Sequence, residues 1–145
     1  MFPDRHPILT YSMPLRSRYS ETDKMGVVYH SRYLEYFEVI RTEFIREAGL
    51  PYAELEQSGV MLPVAQVEIR YRRPILYDEL MDGKLLIFDK PGVKLVTYYD
   101  IRSAGSSSPD VLGKVELVFV NMKTRRPVRV PELFLKKMNE YAAMA

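Results

Sequence analysis

Cysteine is absent from the 145 residues, and so is tryptophan. Without cysteine there is no disulfide framework, no thiolate metal site and no cysteine nucleophile. That composition suits a reducing compartment, so a cytoplasmic location is expected. Histidine is scarce: His6 and His30 are the only two and stand far apart in the chain. No zinc-type ligand spacing results, and no metal or other cofactor is expected. Long apolar runs are also missing. No stretch approaches the roughly 20 residues needed to span a bilayer, and the start of the chain, which carries Asp4, Arg5 and Pro14, does not read as a signal peptide. There is no Gly-rich phosphate loop, no dinucleotide fingerprint and no G-x-S-x-G elbow, which leaves a Ser-His-Asp hydrolase unsupported. Neither sign of charge dominates. A net charge of +2 argues against a general nucleic-acid coat and leaves room for one local anion site.

What is present is the composition of a folded globular protein, 47% hydrophobic and 28% charged. The length suits one domain spanning residues 1–145. A first strand is expected over residues 10–19, where Leu9, Tyr11, Met13 and Leu15 alternate with polar or small residues; Pro14 makes it an edge strand or a bulged one. The period then changes. Tyr33, Phe37, Ile40, Phe44 and Ala48 fall on one stripe of an α-helix, with Glu35, Glu38, Thr42, Glu43 and Arg46 opposite. Ser31 is the expected N-cap, and Gly49 followed by Leu50-Pro51 the expected stop. Residues 51–58 suit one or two further helical turns. Beyond Gly59 the chain reads as strands: Ala65, Val67, Ile69 and Tyr71 alternate with polar residues, residues 80–88 and 94–102 flank a Pro91-Gly92 turn, and residues 114–121 follow. SAGSSSPD at 103–110 reads as a mobile hairpin tip. Residues 131–141 suggest a terminal helix with Leu133, Leu135 and Met138 inward. One long helix must bury its stripe against an antiparallel sheet, so the fold class is α+β, with about five strands wrapped around a central helix.

The informative segment is residues 19–38, YSETDKMGVVYHSRYLEYFE, between the first strand and the long helix. It resembles the 4-hydroxybenzoyl-CoA thioesterase family of hotdog-fold proteins, especially its short bacterial acyl-CoA thioesterase branch. The shared pattern is carried by Tyr19, Thr22, Asp23, Gly26, Val27, Val28, Tyr29, His30 and Tyr33, with support from Arg41-Thr42-Glu43 and from the closing run at 126–131. Two positions depart: Glu21 stands where the family usually has Asp, and Arg32 where Asn is common.

The resemblance implies a hotdog domain that hydrolyses acyl-CoA to free acid and CoA, with Asp23 as nucleophile or as general base on water. It points to the His30 backbone amide as oxyanion donor, with amides around Met61 and Leu62, from the same chain or from a neighbouring subunit, as a second candidate. The His30 side chain is a candidate for orienting substrate or water. Gly26, Val28, Tyr29 and Tyr33 are expected at the substrate site. Because CoA carries phosphates, Arg126, then Lys94 and Arg125, are expected at its mouth. A homodimer or homotetramer is implied, the apolar strand at 114–121 being a surface that needs covering. Acyl carrier protein could replace CoA as carrier. The bland alternatives are that Asp23 only turns the chain, that Thr22 bonds locally, and that the tyrosines form core and pocket wall. Rival functions are a hotdog dehydratase or hydratase, a non-catalytic acyl-CoA-binding protein, and an RNA-binding module using Arg70, Arg72, Arg73 and Lys123 to Arg129.

Overall fold

The computed structural model describes residues 1–50 and 52–144; Pro51 and Ala145, and the side chain of Tyr52, lie outside the described residues. The elements run β1 (Leu9–Arg16), two short 3-10 turns (Tyr19–Glu21 and His30–Arg32), α1 (Tyr33–Glu47), α2 (Tyr52–Gln57), β2 (Val60–Met61), β3 (Val64–Tyr71), β4 (Leu80–Ile87), β5 (Lys94–Ser103), β6 (Val111–Val118), β7 (Val120–Asn121) and α3 (Glu132–Met144). Five strands form one antiparallel sheet in the order β1-β4-β5-β6-β3, and β2 pairs with β7. This is the hotdog arrangement: one sheet, with the long helix lying against one face.

Period-two alternation selects that face. Met81, Leu85 and Ile87 of β4, Leu95, Tyr99 and Ile101 of β5, and Val111, Val115 and Leu117 of β6 are buried, while the intervening Lys84, Asp100, Arg102, Lys114 and Glu116 look outward. Along α1, Tyr33, Tyr36, Phe37, Ile40, Phe44 and Ile45 are buried, each large apolar side chain contributing roughly 2 kcal/mol on burial. Two glycines in the sheet let the helix sit close. A Cβ on Gly83 would lie 2.8 Å from Ile40 Cδ1, and one on Gly113 would lie 2.3 Å from Phe37 Cζ. Phe37 stacks on Tyr99 with ring centroids 4.4 Å apart. The Tyr99 hydroxyl lies 3.2 Å from Arg41 Nη1 and 2.8 Å from Thr97 Oγ1, so the buried guanidinium of Arg41 has polar company inside the core.

Several local expectations change. Ser31 does not cap α1: the N-cap is Arg32 in αR conformation with no side-chain cap bond, and the helix continues out of the preceding 3-10 turn. At the other end Gly49 does turn the chain, at φ 87, and the Leu50 amide donates to the Ile45 carbonyl at 3.0 Å; Pro51, the second half of that stop signal, is outside the described residues. β1 ends at Arg16, and Tyr19 begins a 3-10 turn. β6 begins three residues earlier than expected, at Val111. It is an interior strand between β5 and β3, so the exposed apolar strand is not 114–121 but β3. Val64, Val67 and Tyr71 of β3 are 49%, 39% and 51% exposed. A register shift between Val64 and Gln66 takes Ala65 out of the alternation. In α3 the buried anchors are Phe134 and Met138; Leu133 is half exposed. The 103–110 hairpin is tied down: Ser103 donates amide and hydroxyl to Asp110 Oδ2 at 2.8 and 2.9 Å, and Arg73 Nη2 reaches the Ser108 carbonyl at 3.0 Å. Among the described residues no helix is long and apolar enough to cross a membrane.

Candidate active site

Asp23 sits on a tight loop that the chain stitches on both sides. The loop closes on itself through Asp23 N to Val27 O at 2.9 Å and Gly26 N to Asp23 O at 3.0 Å, with Gly26 at φ 75, a conformation open to glycine. It is then fastened to the segment ahead of β4: Val28 N donates to the Ile75 carbonyl at 2.8 Å and Tyr77 N to the Gly26 carbonyl at 2.9 Å. Ile75 is fully buried, so this fastening is anchored in the core. Tyr29 N donates to the Glu21 carbonyl at 2.8 Å. The Glu21 carboxylate accepts from the Arg18 amide at 2.7 Å and from the Tyr36 hydroxyl at 2.8 Å, which ties the loop to α1. Glutamate, longer by one methylene than the aspartate usual there, spans both partners.

Within this frame the Asp23 carboxylate is held by one oxygen. Oδ1 accepts from Met25 N at 2.8 Å and from Val27 N at 3.4 Å. Among the described residues Oδ2 has no hydrogen-bond partner. Asp23 therefore does turn the chain, as the bland alternative holds, and has an oxygen to spare. It lines an open cleft of about 370 Å³ together with Val27, Val28, Tyr29, His30, Tyr33, Tyr71, Arg72, Arg73 and Pro74. His30 opens the 3-10 turn that runs into α1, so its amide has no intrahelical acceptor and stands at the positive end of the helix dipole. The Tyr71 hydroxyl donates to the His30 carbonyl at 2.8 Å, fixing the helix start to the end of β3. The His30 ring is exposed and lies against Tyr29, centroids 4.2 Å apart. Burial pushes the Tyr33 hydroxyl up to about 12, opposed in part by the nearby Ile75 backbone, so it stays a neutral phenol in the wall. The far wall is set by Asp110, which is buried. Its carbonyl accepts from Arg72 N at 2.8 Å and Arg73 N at 3.1 Å, and its carboxylate pairs with Arg73 Nε at 2.8 Å.

Asp23, His30 at the helix start and an aromatic wall line one cleft, and among the described residues the His30 amide has no hydrogen-bond partner; these are the parts that acyl transfer needs. The sequence profile of the thioesterase-like superfamily matches residues 17–138. The chain belongs to that superfamily. YneP of Bacillus subtilis (strain 168), provisionally named an acyl-CoA thioesterase, is 36% identical over 118 residues, covering 81% of this chain and 84% of that protein. The acyl-CoA thioesterase YbgC of Helicobacter pylori is 27% identical, covering 88% of this chain and 98% of that one. The crystal structure of a DHNA-CoA thioesterase from Staphylococcus aureus superposes with a TM-score of 0.82 at 30% identity, covering 93% of this chain and 90% of that one.

Of the residues expected at the site, Asp23, Val28, Tyr29, His30 and Tyr33 line the cleft, and Gly26 lines an adjoining hollow on the other side of Asp23. The rest are elsewhere in this protomer. Met61 pairs with Val120, Lys94 pairs with Val118, and the Arg125 amide bonds back to the Asn121 carbonyl. All three contacts mark the Val118 end of β6, whereas the cleft lies at the Val111 end, where Tyr71 pairs. The two ends are about 24 Å apart along the strand. Met61, Leu62, Lys94, Arg125 and Arg126 therefore do not meet Asp23 within one chain, and Lys94 lies 3.9 Å from Glu116. Tyr71, Arg72, Arg73 and Pro74 were not expected at the cleft. The basic run was visible, but only the register of β3 against β6 shows which end of the sheet it reaches. A larger hollow, about 550 Å³, lies between β1 and α1; it holds Glu21 and Tyr36 but neither Asp23 nor His30. Among the described residues no group of three or more His, Asp or Glu is placed to hold a metal ion.

Proposed function

We propose that this thioester hydrolase cleaves acyl-CoA to the free acid and CoA at Asp23, on the short bacterial acyl-CoA thioesterase plan. The observation that carries the reading is the Asp23 carboxylate fixed through Oδ1 with Oδ2 unpartnered, in the same cleft as the first amide of the turn feeding α1. A thioester carbonyl placed between them presents its carbon to Oδ2 and its oxygen to the His30 amide. Asp23 attacks that carbon directly, or removes a proton from a water that does. The negative charge that gathers on the carbonyl oxygen is met by the His30 amide and the helix dipole. Collapse expels CoA as the thiol, and water supplies the oxygen of the released acid. The preorganised loop supports this chemistry because its carboxylate needs no rearrangement before reaction.

The working unit is a pair of chains. β3 is an open edge with an exposed apolar stripe, Val64, Val67 and Tyr71. Antiparallel pairing of β3 with its copy about a two-fold axis sets the start of one strand against the end of the other. That brings Met61 and Leu62 of the partner subunit, just ahead of its β3, beside Tyr71 and Arg72. Arg125 and Arg126 of the partner subunit, on the same end of its sheet, become available to the CoA phosphates. Residues separated within one protomer thus meet across the pair, and a tetramer would follow from packing of two pairs.

The test is a panel of short, branched, long and aromatic acyl-CoAs assayed with a thiol-reactive dye, wild type beside Asp23→Asn. Thiol release that falls by about a hundredfold or more in the variant is expected. Hydration or dehydration of an enoyl- or hydroxyacyl-CoA without thiol release, or full turnover by Asp23→Asn, would refute the reading.

A further inference from the structure

Two adjacent arginines meet the cleft, and the fold uses only one of them. Arg73 is consumed by the scaffold, through Asp110 at 2.8 Å and the Ser108 carbonyl at 3.0 Å. The Arg72 guanidinium, among the described residues, has no hydrogen-bond, ion-pair or ring partner, although its own backbone is pinned by the Arg72 N to Asp110 O bond at 2.8 Å. Arg70 is not an equivalent: it stands in register with Leu112 within β3 and does not line the cleft, whereas Arg72 lies just past the end of the strand and does. Arg72 is thus a planar five-donor fork on a fixed backbone, in the cleft that contains Asp23 and His30.

Distance decides which part of the substrate it meets. The pantetheine arm holds the pyrophosphate away from the thioester by about four residue-lengths of chain, roughly 14 Å when extended. The cleft volume is that of a sphere about 9 Å across, at the small end for ligand sites. With the reacting carbon at Asp23, a side chain in the same cleft reaches the acyl group and not the phosphates. We infer that Arg72 is a specificity-determining residue that selects acyl groups carrying a carboxylate remote from the thioester, by a bidentate pair between its guanidinium and that carboxylate. The thioester hydrolysis itself is unchanged, and the proposal rests on the reading of Asp23 given above. Tyr29, Tyr33 and Tyr71 wall the space between, which suits a planar or extended spacer.

The experiment compares matched esters that differ only in the terminal group: adipoyl-CoA with hexanoyl-CoA, and 4-carboxybenzoyl-CoA with 4-methylbenzoyl-CoA. Each is also presented as its pantetheine thioester, which lacks the phosphates. Wild type is expected to prefer the carboxylated member of at least one pair in kcat/KM. Arg72→Gln should lower kcat/KM for that member roughly 10- to 100-fold and change its neutral partner less than about twofold, with the same selectivity loss on the pantetheine thioesters; Arg72→Lys should restore part of it. Equal losses on charged and neutral CoA esters, absent from the pantetheine thioesters, would assign Arg72 to the carrier's phosphates and overturn the inference. Turnover of neutral esters with no carboxylate preference would overturn it while leaving Asp23 chemistry standing. Failure of wild type to release thiol from any ester would remove both.

Discussion

Seating α1 on the sheet depends on the missing side chain at position 113, and Gly113→Ala measures how much. The added Cβ would lie 2.3 and 2.4 Å from two ring carbons of Phe37, whereas carbon atoms in contact stand about 3.5–4.0 Å apart. Relief requires a shift of more than about 1 Å. The ring cannot tilt away freely because it is stacked on Tyr99 at 15° between planes, so the helix itself must lift. Overpacking of this kind costs typically 1–3 kcal/mol, offset by up to about 1 kcal/mol from the lower backbone entropy of alanine in a strand. A net loss near 1–2 kcal/mol is expected, or a fall in Tm of about 3–6 °C at this chain length. Activity should suffer more than stability. Tyr33 lies one turn of helix from Phe37 and the His30 turn feeds directly into Tyr33, and a displacement near 1 Å at reacting groups costs about a hundredfold. The assays are thermal unfolding and kcat on whichever ester wild type cleaves, at a temperature where both proteins are folded. Gly92→Ala, whose added Cβ would meet nothing within 4 Å, is the neutral control. A Gly113→Ala protein as stable and as active as wild type would refute the account of how the helix is positioned.

Three further outcomes follow from the same geometry. Tyr71→Phe removes the hydroxyl that holds the His30 carbonyl at 2.8 Å; kcat should fall by about tenfold while Tm moves by less than about 3 °C, since the bond is exposed and worth about 1 kcal/mol. Val67→Arg places a charge on the open β3 edge, so sedimentation should show monomers and thiol release should vanish, with the circular dichroism spectrum retained. On the alkaline side, Tyr33 is pushed up to about 12 by burial, and Tyr36 is raised further by burial and by the Glu21 carboxylate. The unfolded chain loses these protons near 10, the folded chain later, so stability is complete below about pH 10 and declines through about pH 12; Tyr33→Phe should flatten that decline in urea titrations at stepped pH.

Periodicity made α1 readable, because Tyr33, Phe37, Ile40 and Phe44 answer to one neighbour, the sheet. Tyr36, Arg41 and Ile45 escaped because one helix side here faces a loop, a buried hydroxyl and α3 as well as strands, which widens the buried stripe beyond the apolar residues. β2 and β7 are two residues each, too short to show any alternation, and their pairing depends on where the chain has already returned. The motif from Asp23 to Tyr33 was legible because its residues are neighbours in sequence and in space. Arg72 and Tyr71 were not: they reach Asp23 only through the strand order β5-β6-β3, which no local signal encodes. Met61, Lys94 and Arg126 show the converse: each is expected at the site, and the strand register puts them at the opposite end of the sheet from Asp23.

Pro14 gives the molecule its asymmetry. It lies in β1, the outer strand on the side of the sheet away from β3. Proline in such a strand sits with its lacking N–H toward solvent, so a chain arriving there finds the row of donors interrupted. One border of the sheet thus invites a neighbour and the other turns it away. The proposed pairing through β3 would therefore end strand addition at two copies, with the proline-bearing border left outermost and unsuited to further growth.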